Sequence, residues 1–247
     1  MKELELNKIH NENCLETMKG IPSDSVDCVV TSPPYNKTGF RGKRDSSKGV
    51  GRWSGADISY GEFGDDKDEE EYKQEQIEVL NELYRILKPN GSIFYNHKVR
   101  RNNGKASHPF EWIVKSKCNF YQQIIWDRGS AVDHNIGYLT PTTELIFWLT
   151  KETPKVLKKQ DRFSNEIWRI NALPMKDHPA PFPEELVGQC LILTTDENDL
   201  IYDPYMGSGT SAKVAKQLKR NYIGSEISPE YCQIAEDRIK AISNPLF

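Results

Sequence analysis

The 247-residue chain has no apolar run long enough to cross a bilayer, and its opening residues, MKELELNKIH, hold no apolar core of the kind that leads a secreted protein. Its cysteines, Cys14, Cys28, Cys118, Cys190 and Cys232, form no CxxC pair and keep no regular spacing. An odd number without a secretory leader implies reduced thiols and a cytoplasmic protein, with no membrane partner. Neither these cysteines nor the five histidines cluster at ligand spacing, so no metal site is expected. Internal repeats and low-complexity tracts are missing too, and so is a dominant sign of charge, the formal net charge being −3. What is there is 37% hydrophobic and 28% charged, enough for one large α/β domain or two small ones.

Charge is balanced in sum but not in place. Lys37, Arg41, Lys43, Arg44, Lys48 and Arg52 lie between Asn36 and Gly61, opposed only by Asp45 and Asp57. The glycines of this stretch (Gly39, Gly42, Gly49, Gly51 and Gly55) and its lack of periodicity imply a mobile loop over 36–67. Its cations suit a phosphate backbone, though an ordinary solvated loop explains them equally well. The acidic block that follows, from Glu62 to Glu71, reads as a helix start, where carboxylates favour the positive end of the dipole.

Apolar periodicity alternates between strand and helix along most of the chain. KELELNKIH reads as a strand, ENCLETMKGI as a short helix and DCVV as a buried strand. A helix is expected from Asp68 to Leu87, stopped by Lys88-Pro89-Asn90-Gly91 before the strand SIFYNH. HPFEWIVKS reads as a helix, FYQQIIW and ELIFWLT as strands, and EELVGQCLIL as a helix. DLIYD, SAKVAKQLK, NYIGSEI and SPEYCQIAEDRIKAI then give strand, helix, strand and helix, the last with Ser228 as N-cap and Pro229 in its first turn. The pattern predicts a doubly wound, mainly parallel α/β sheet spanning residues 1–247 as a single domain. Residues 151–176 are the least regular and the candidate for a small accessory insert.

Two turns carry the chemistry. The strand DLIYD ends at Asp203 and runs into PYMGSGT, where Gly207 and Gly209 permit a tight turn and a close approach to the backbone. The next strand ends at Glu226, placed to accept hydrogen bonds from both hydroxyls of a ribose. Strand, glycine turn, helix, strand and acidic tip together point to a nucleoside-containing cofactor without saying which. The other turn is TSPPY, residues Thr31 to Tyr35, where two prolines end the pairing of DCVV and stiffen the chain beyond it.

SPPY at Ser32–Tyr35 and YMGSG at Tyr205–Gly209 together resemble the amino-group DNA methyltransferases, in the permuted order of their beta group. NENCLE, RILKPNGSIF and HPAPFPEEL extend the resemblance over nearly the whole chain. It implies a Rossmann-like methyltransferase sheet with one antiparallel strand, S-adenosylmethionine as cofactor and double-stranded DNA as substrate. Carried over residue by residue, Ser32, Pro33, Pro34 and Tyr35 are catalytic. Asp203, Gly207, Gly209 and Thr210 flank the methionine end of the cofactor, and Glu226 takes the ribose. Asn13 and Cys14 meet the adenine edge, with Asn13 standing where many relatives have aspartate, while Pro179, Pro181 and Phe182 line the methionyl pocket. Lys37, Arg41, Lys43, Arg44, Arg52, Arg100 and Arg101 are the candidate DNA contacts. The stretch DRGSAVDHNIGY and the 151–176 segment are further candidate readers of the site. A second subunit and a cognate restriction enzyme are candidate partners.

An exocyclic amine is a poor nucleophile because its lone pair is delocalised into the ring. The Ser32 hydroxyl and a rigid prolyl carbonyl can accept its hydrogens and free that pair, and Tyr35 offers a flat face to an extruded base. Ser32 is neutral where many adenine-modifying relatives carry Asp or Asn, which leans the target toward the 4-amino group of cytosine over the 6-amino group of adenine. Four rivals explain less. An RNA or protein-amide methyltransferase usually has the two turns in the opposite order. An NAD-dependent oxidoreductase leaves TSPPY and HPAPFP unused, a DNA-binding module has no need of the cofactor half, and a purely structural α/β protein accounts for the core alone.

Overall fold

A computed structural model describes residues 4–36, 67–102, 104–129, 139–157, 163–172 and 182–242. Eight of its strands form one sheet: β1 (Lys8–His10), β2 (Val26–Thr31), β3 (Leu87–His97), β6 (Asn119–Asp127), β7 (Thr143–Thr150), β8 (Ile167–Arg169), β9 (Leu200–Asp203) and β10 (Asn221–Ser225). β4 (Arg100–Asn102) and β5 (Lys105–Ser107) make a separate antiparallel hairpin. The sheet order is β1-β10-β9-β2-β3-β7-β6-β8. Every neighbouring pair is parallel except the two made by β7, which runs against both β3 and β6. This is the expected mainly parallel sheet with one antiparallel strand.

Both faces of the sheet are apolar, so both must be covered. Along β3, Phe94 faces one layer and Ile93 and Tyr95 the other; along β7, Ile146 and Trp148 oppose Phe147 and Leu149 in the same way. One layer holds α4 (Glu184–Thr194), α5 (Thr210–Gln217) and α6 (Pro229–Lys240). The other holds α1 (Cys14–Lys19), α2 (Glu69–Ile86) and the single turn α3 (Phe110–Ile113). In α2, Tyr72, Val79, Leu80, Leu83 and Ile86 are buried at helical spacing. Truncating a fully buried leucine such as Leu83 to alanine costs about 2–5 kcal/mol in a core of this kind. Asp68 caps α2 by accepting from the amides of Glu70 and Glu71, with Glu69, Glu70 and Glu71 filling the first turn, so the described part of the acidic block is a helix start.

One expectation changes. Lys88-Pro89-Asn90-Gly91 does not separate helix from strand, because β3 begins at Leu87 immediately after α2. The punctuation appears instead as a shift in register against β2, where Val26 pairs with Leu87 but Cys28 pairs with Ser92. The carbonyls of Pro89 and Asn90 are taken by the amides of Glu152 and Lys155. Within the described part of 151–176, β8 lies beside β6, and Phe163 and Trp168 pack edge to face, both buried in the core.

Candidate active site

β2 and β9 lie side by side, with Cys28 paired to Ile201 and Val29 to Tyr202, so their carboxyl ends, Thr31 and Asp203, reach the same edge of the sheet. From β9 the chain continues through α5 to β10 on one side; from β2 it continues through α2 to β3 on the other. That reversal is a topological switch point, and the crevice beyond it is where open parallel sheets take their ligands. The proline turn and the glycine turn both leave from it.

On the glycine side, Gly207 and Gly209 have φ of 52° and 81°, in the left-handed region. A Cβ on Gly209 would also lie 2.6 Å from that of Ala235, so glycine is needed there for both the turn and the packing of α6. Glu226 stands just past β10. Its carboxylate accepts from the amides of Gly207 (2.7 Å) and Ser228 (2.9 Å), fastening the turn to the tip of the next strand. Burial raises the Glu226 pKa against the opposing pull of those amides. Asp203 accepts from the Ser211 hydroxyl (2.6 Å) and the Tyr205 amide (3.1 Å). It is 4% exposed, and burial pushes its carboxyl up to about 6. Thr210 opens α5, and from below Arg238 donates to the carbonyl and hydroxyl of Ser208 (2.6 and 2.8 Å). Nothing in the sequence pattern marks Arg238 for this role.

Asn13 is the N-cap of α1, its side-chain oxygen accepting from the Leu15 amide at 2.9 Å. One lone pair of that oxygen is thereby taken, while its second lone pair and the two amide protons are not engaged by this cap. Cys14 is buried, and its thiol is pushed up to about 12. Phe182 packs edge-on against Trp126, ring centroids 6.0 Å apart. Pro179, Pro181, Lys37, Arg41, Lys43, Arg44 and Arg52 lie outside the described residues.

On the proline side the segment is held at several points. The Tyr72 hydroxyl lies 2.8 Å from the Pro34 carbonyl and 2.9 Å from His97 Nε2, while His97 Nδ1 lies 2.8 Å from the Lys98 carbonyl. Burial holds the His97 pKa well below its usual value, so the ring is neutral and its one proton goes from Nδ1 to Lys98. The single Tyr72 proton is then shared between Pro34 and His97. The Tyr35 ring rests on His97 at 4.4 Å, tilted by 36°. The Tyr35 hydroxyl meets Ser32 Oγ (3.1 Å), Asn96 Nδ2 (2.7 Å) and Glu144 Oε2 (2.9 Å). Asn96 Nδ2 also donates to Glu144 Oε2 (2.9 Å), and Arg128 Nη1 donates to Glu144 Oε1 (3.0 Å). Asn96 is 1% exposed and its side-chain oxygen has no hydrogen-bond partner among the described residues, while its Nδ2 approaches Ser32 Oγ at 3.4 Å.

Arg100 is a correction. It was expected to face DNA, but it is 4% exposed, paired through both terminal nitrogens with Glu69 (2.6 and 2.8 Å) and set over the Tyr72 and Trp112 rings. It ties α2 to the β4–β5 hairpin, where Ser107 Oγ also donates to Glu69 (2.8 Å), and so braces the floor of the site. Arg101, its neighbour on β4, is exposed.

An open parallel sheet with a glycine turn and an acidic tip on one side of its switch point, and a rigid acceptor turn on the other, is the layout of a nucleotide-handling α/β enzyme. A family model described as DNA methylase (N6_N4_Mtase) matches residues 26–237, and the chain belongs to that family. The chain is 52% identical to the orphan methyltransferase M.BamHII of Bacillus amyloliquefaciens, covering 87% of this chain and 89% of that one. Among solved structures it resembles the cytosine-N4-specific PvuII DNA methyltransferase, with TM-score 0.77, 20% identity, and 96% and 87% of the two chains covered. It also resembles the M1.HpyAVI–SAM complex, with TM-score 0.66, 20% identity, and 94% and 98% covered.

Proposed function

We propose that the chain transfers a methyl group from S-adenosylmethionine to the exocyclic amine of a base extruded from double-stranded DNA. The observation that carries this reading is the convergence of the SPPY turn and the glycine turn on one switch point, in a member of a DNA methylase family. The residues present suit the cofactor. Gly207 and Gly209 leave backbone open to it, and the Glu226 carboxylate, with about four lone-pair sites, has capacity beyond its two amide bonds for the ribose hydroxyls. Asp203 and Thr210 flank the methionine end, Asn13 and Cys14 the adenine edge, and Phe182 with Pro179 and Pro181 the methionyl wall. When bound, the cofactor supplies an activated sulfonium methyl.

The protein's part is to make the amine nucleophilic. Ser32 Oγ and the Pro33 carbonyl accept its hydrogens, drawing the nitrogen toward tetrahedral geometry and releasing its lone pair. Proline fixes φ on both sides of the acceptor, and Tyr72 holds the Pro34 carbonyl, so no reorganisation is needed at the reaction step. Tyr35, supported behind by His97, gives the base a surface to stack on, a contact worth ~1–3 kcal/mol. The neutral Ser32 makes the 4-amino group of cytosine the first target, with the 6-amino group of adenine second. Residues 36–67, Arg101 and the 151–176 segment are the proposed DNA contacts. A second copy of the chain and a cognate restriction enzyme are its proposed partners, and the cytoplasm its proposed place.

Incubation with methyl-labelled S-adenosylmethionine and mixed genomic DNA is expected to label the DNA, and nuclease digestion to yield N4-methylcytosine. Proven cofactor binding without incorporation into DNA of any sequence or methylation history would overturn the reading. A labelled adenine would correct only the base.

A further inference from the structure

Counting protons through the buried cluster around Tyr35 gives Ser32 a defined polarity. A hydroxyl can donate or accept, and for an amine whose lone pair must be freed only an accepting serine is useful. Glu144 Oε2 accepts, and it receives Tyr35 O–H at 2.9 Å and Asn96 Nδ2 at 2.9 Å, while Arg128 holds Oε1 at 3.0 Å. The one Tyr35 proton is thereby spent on the carboxylate. At the 3.1 Å contact with Ser32 the phenol oxygen is therefore the acceptor, and the Ser32 proton points inward to it. Asn96 has two amide protons for three contacts; the 2.7 and 2.9 Å bonds take them, leaving the 3.4 Å approach to Ser32 as the weakest. With its proton drawn inward, Ser32 Oγ has its lone pairs for the amine.

We propose that Glu144, at the start of β7, is a positioning residue that acts through the Tyr35 hydroxyl to fix Ser32 as a hydrogen-bond acceptor. This rests on the reading of Ser32 as an acceptor for the target amine. The carboxylate stands where its charge polarises a chain of two hydroxyls, supplying a neutral serine with some of the acceptor strength that an aspartate at the same position would have. Glu144 is 8% exposed and paired with Arg128, so its charge is compensated, but the direction of the proton chain is still set by which atoms can only accept.

The test uses Glu144→Gln, in which the amide can satisfy Arg128 through its oxygen and turns a donor toward Tyr35, and Tyr35→Phe, which keeps the ring and cuts the chain. A Tyr35 that only stacks predicts a nearly normal rate for Tyr35→Phe. The relay predicts that each variant slows single-turnover methyl transfer roughly 10- to 100-fold, the range for one hydrogen bond to a charged group. Base extrusion, read with a fluorescent base analogue, and cofactor affinity are expected to change little. The double variant should be no slower than Tyr35→Phe alone. Multiplying losses, or a normal rate for Tyr35→Phe, would overturn the relay and leave Glu144 a structural partner of Arg128. A second readout needs no activity: in the chain alone, with ring-labelled tyrosine, the Tyr35 hydroxyl proton should move upfield in Glu144→Gln as it loses its carboxylate. If the wild-type chain labels no DNA, the functional reading falls while this resonance still decides the relay, and an unshifted proton refutes it.

Discussion

Replacing Asp203 with asparagine should make the protein more stable and a poorer binder of its cofactor. The carboxyl is buried at the end of β9, and burial raises its pKa from 3.8 to about 6 despite bonds from Ser211 and Tyr205. Between those values the folded state holds a proton that the unfolded chain has released. Stability contributed by this residue therefore falls as pH rises through that window and stays reduced above it. At 1.36 kcal/mol for each tenfold change, the ionised carboxylate costs the fold on the order of 3 kcal/mol at neutral pH. Asparagine keeps an acceptor for the Tyr205 amide and offers Ser211 a donor, so most of that cost is recovered. For a chain of this length the midpoint of thermal unfolding should rise by roughly 6–12 °C at pH 7–8. Its advantage over wild type should grow between pH 4.5 and 6 and level off above 7. Cofactor affinity, followed by calorimetry, should fall about 10- to 100-fold with the loss of a charged acceptor. A variant no more stable than wild type at pH 7, or one whose advantage is independent of pH, would refute the assignment of strain to this carboxylate.

Glu226→Ala should weaken cofactor binding and loosen the glycine turn, because it removes the acceptor for the Gly207 and Ser228 amides; unchanged affinity by calorimetry would take Glu226 out of the site. Arg100→Ala and Arg101→Ala should part company. The first removes a buried guanidinium that pairs with the part-exposed Glu69 and lies over the Tyr72 and Trp112 rings, and should cost about 1–3 kcal/mol of stability in denaturant unfolding. The second should leave stability unchanged, weaken binding to all DNA sequences and reduce the salt slope by about one. The same behaviour from both would contradict their opposite burial.

Motifs short enough to sit in one turn were legible in the sequence, and so was the alternation that builds the sheet. Gly207, Gly209, Asp203 and Glu226 lie within one strand-turn-helix-strand unit, where local spacing fixes geometry. The other half of the site is assembled across the fold. Tyr35 and Glu144 are 109 positions apart and meet only because β7 enters the sheet beside β3. Asn96 and His97 read as the polar end of an apolar strand, a mark that buried polar pairs share with ordinary strand ends. Arg100 misled because a cation in a basic run looks the same whether it faces solvent or turns inward to a glutamate such as Glu69. The break foreseen at Lys88-Pro89-Asn90-Gly91 became a register shift, since neighbouring backbone supplied the bonds that proline and glycine could not.

The reversed direction of β7 has a consequence for how such a chain can diversify. In each parallel strand that reaches the site, the working residue comes first and the connecting segment comes after it. In β7 the order is inverted: Glu144 comes after the connection, one residue beyond the start of the strand. Its place is set on both sides: Glu144 pairs with Trp126, Leu145 lies opposite His97 and Ile125, and the Thr142 carbonyl accepts from the Arg128 amide. Residues inserted or lost in the connection ahead of Pro141 are therefore taken up before the anchored stretch starts, and Glu144 keeps its position. Exchange of that connection spares the carboxylate only where Arg128, which holds its other oxygen, is kept.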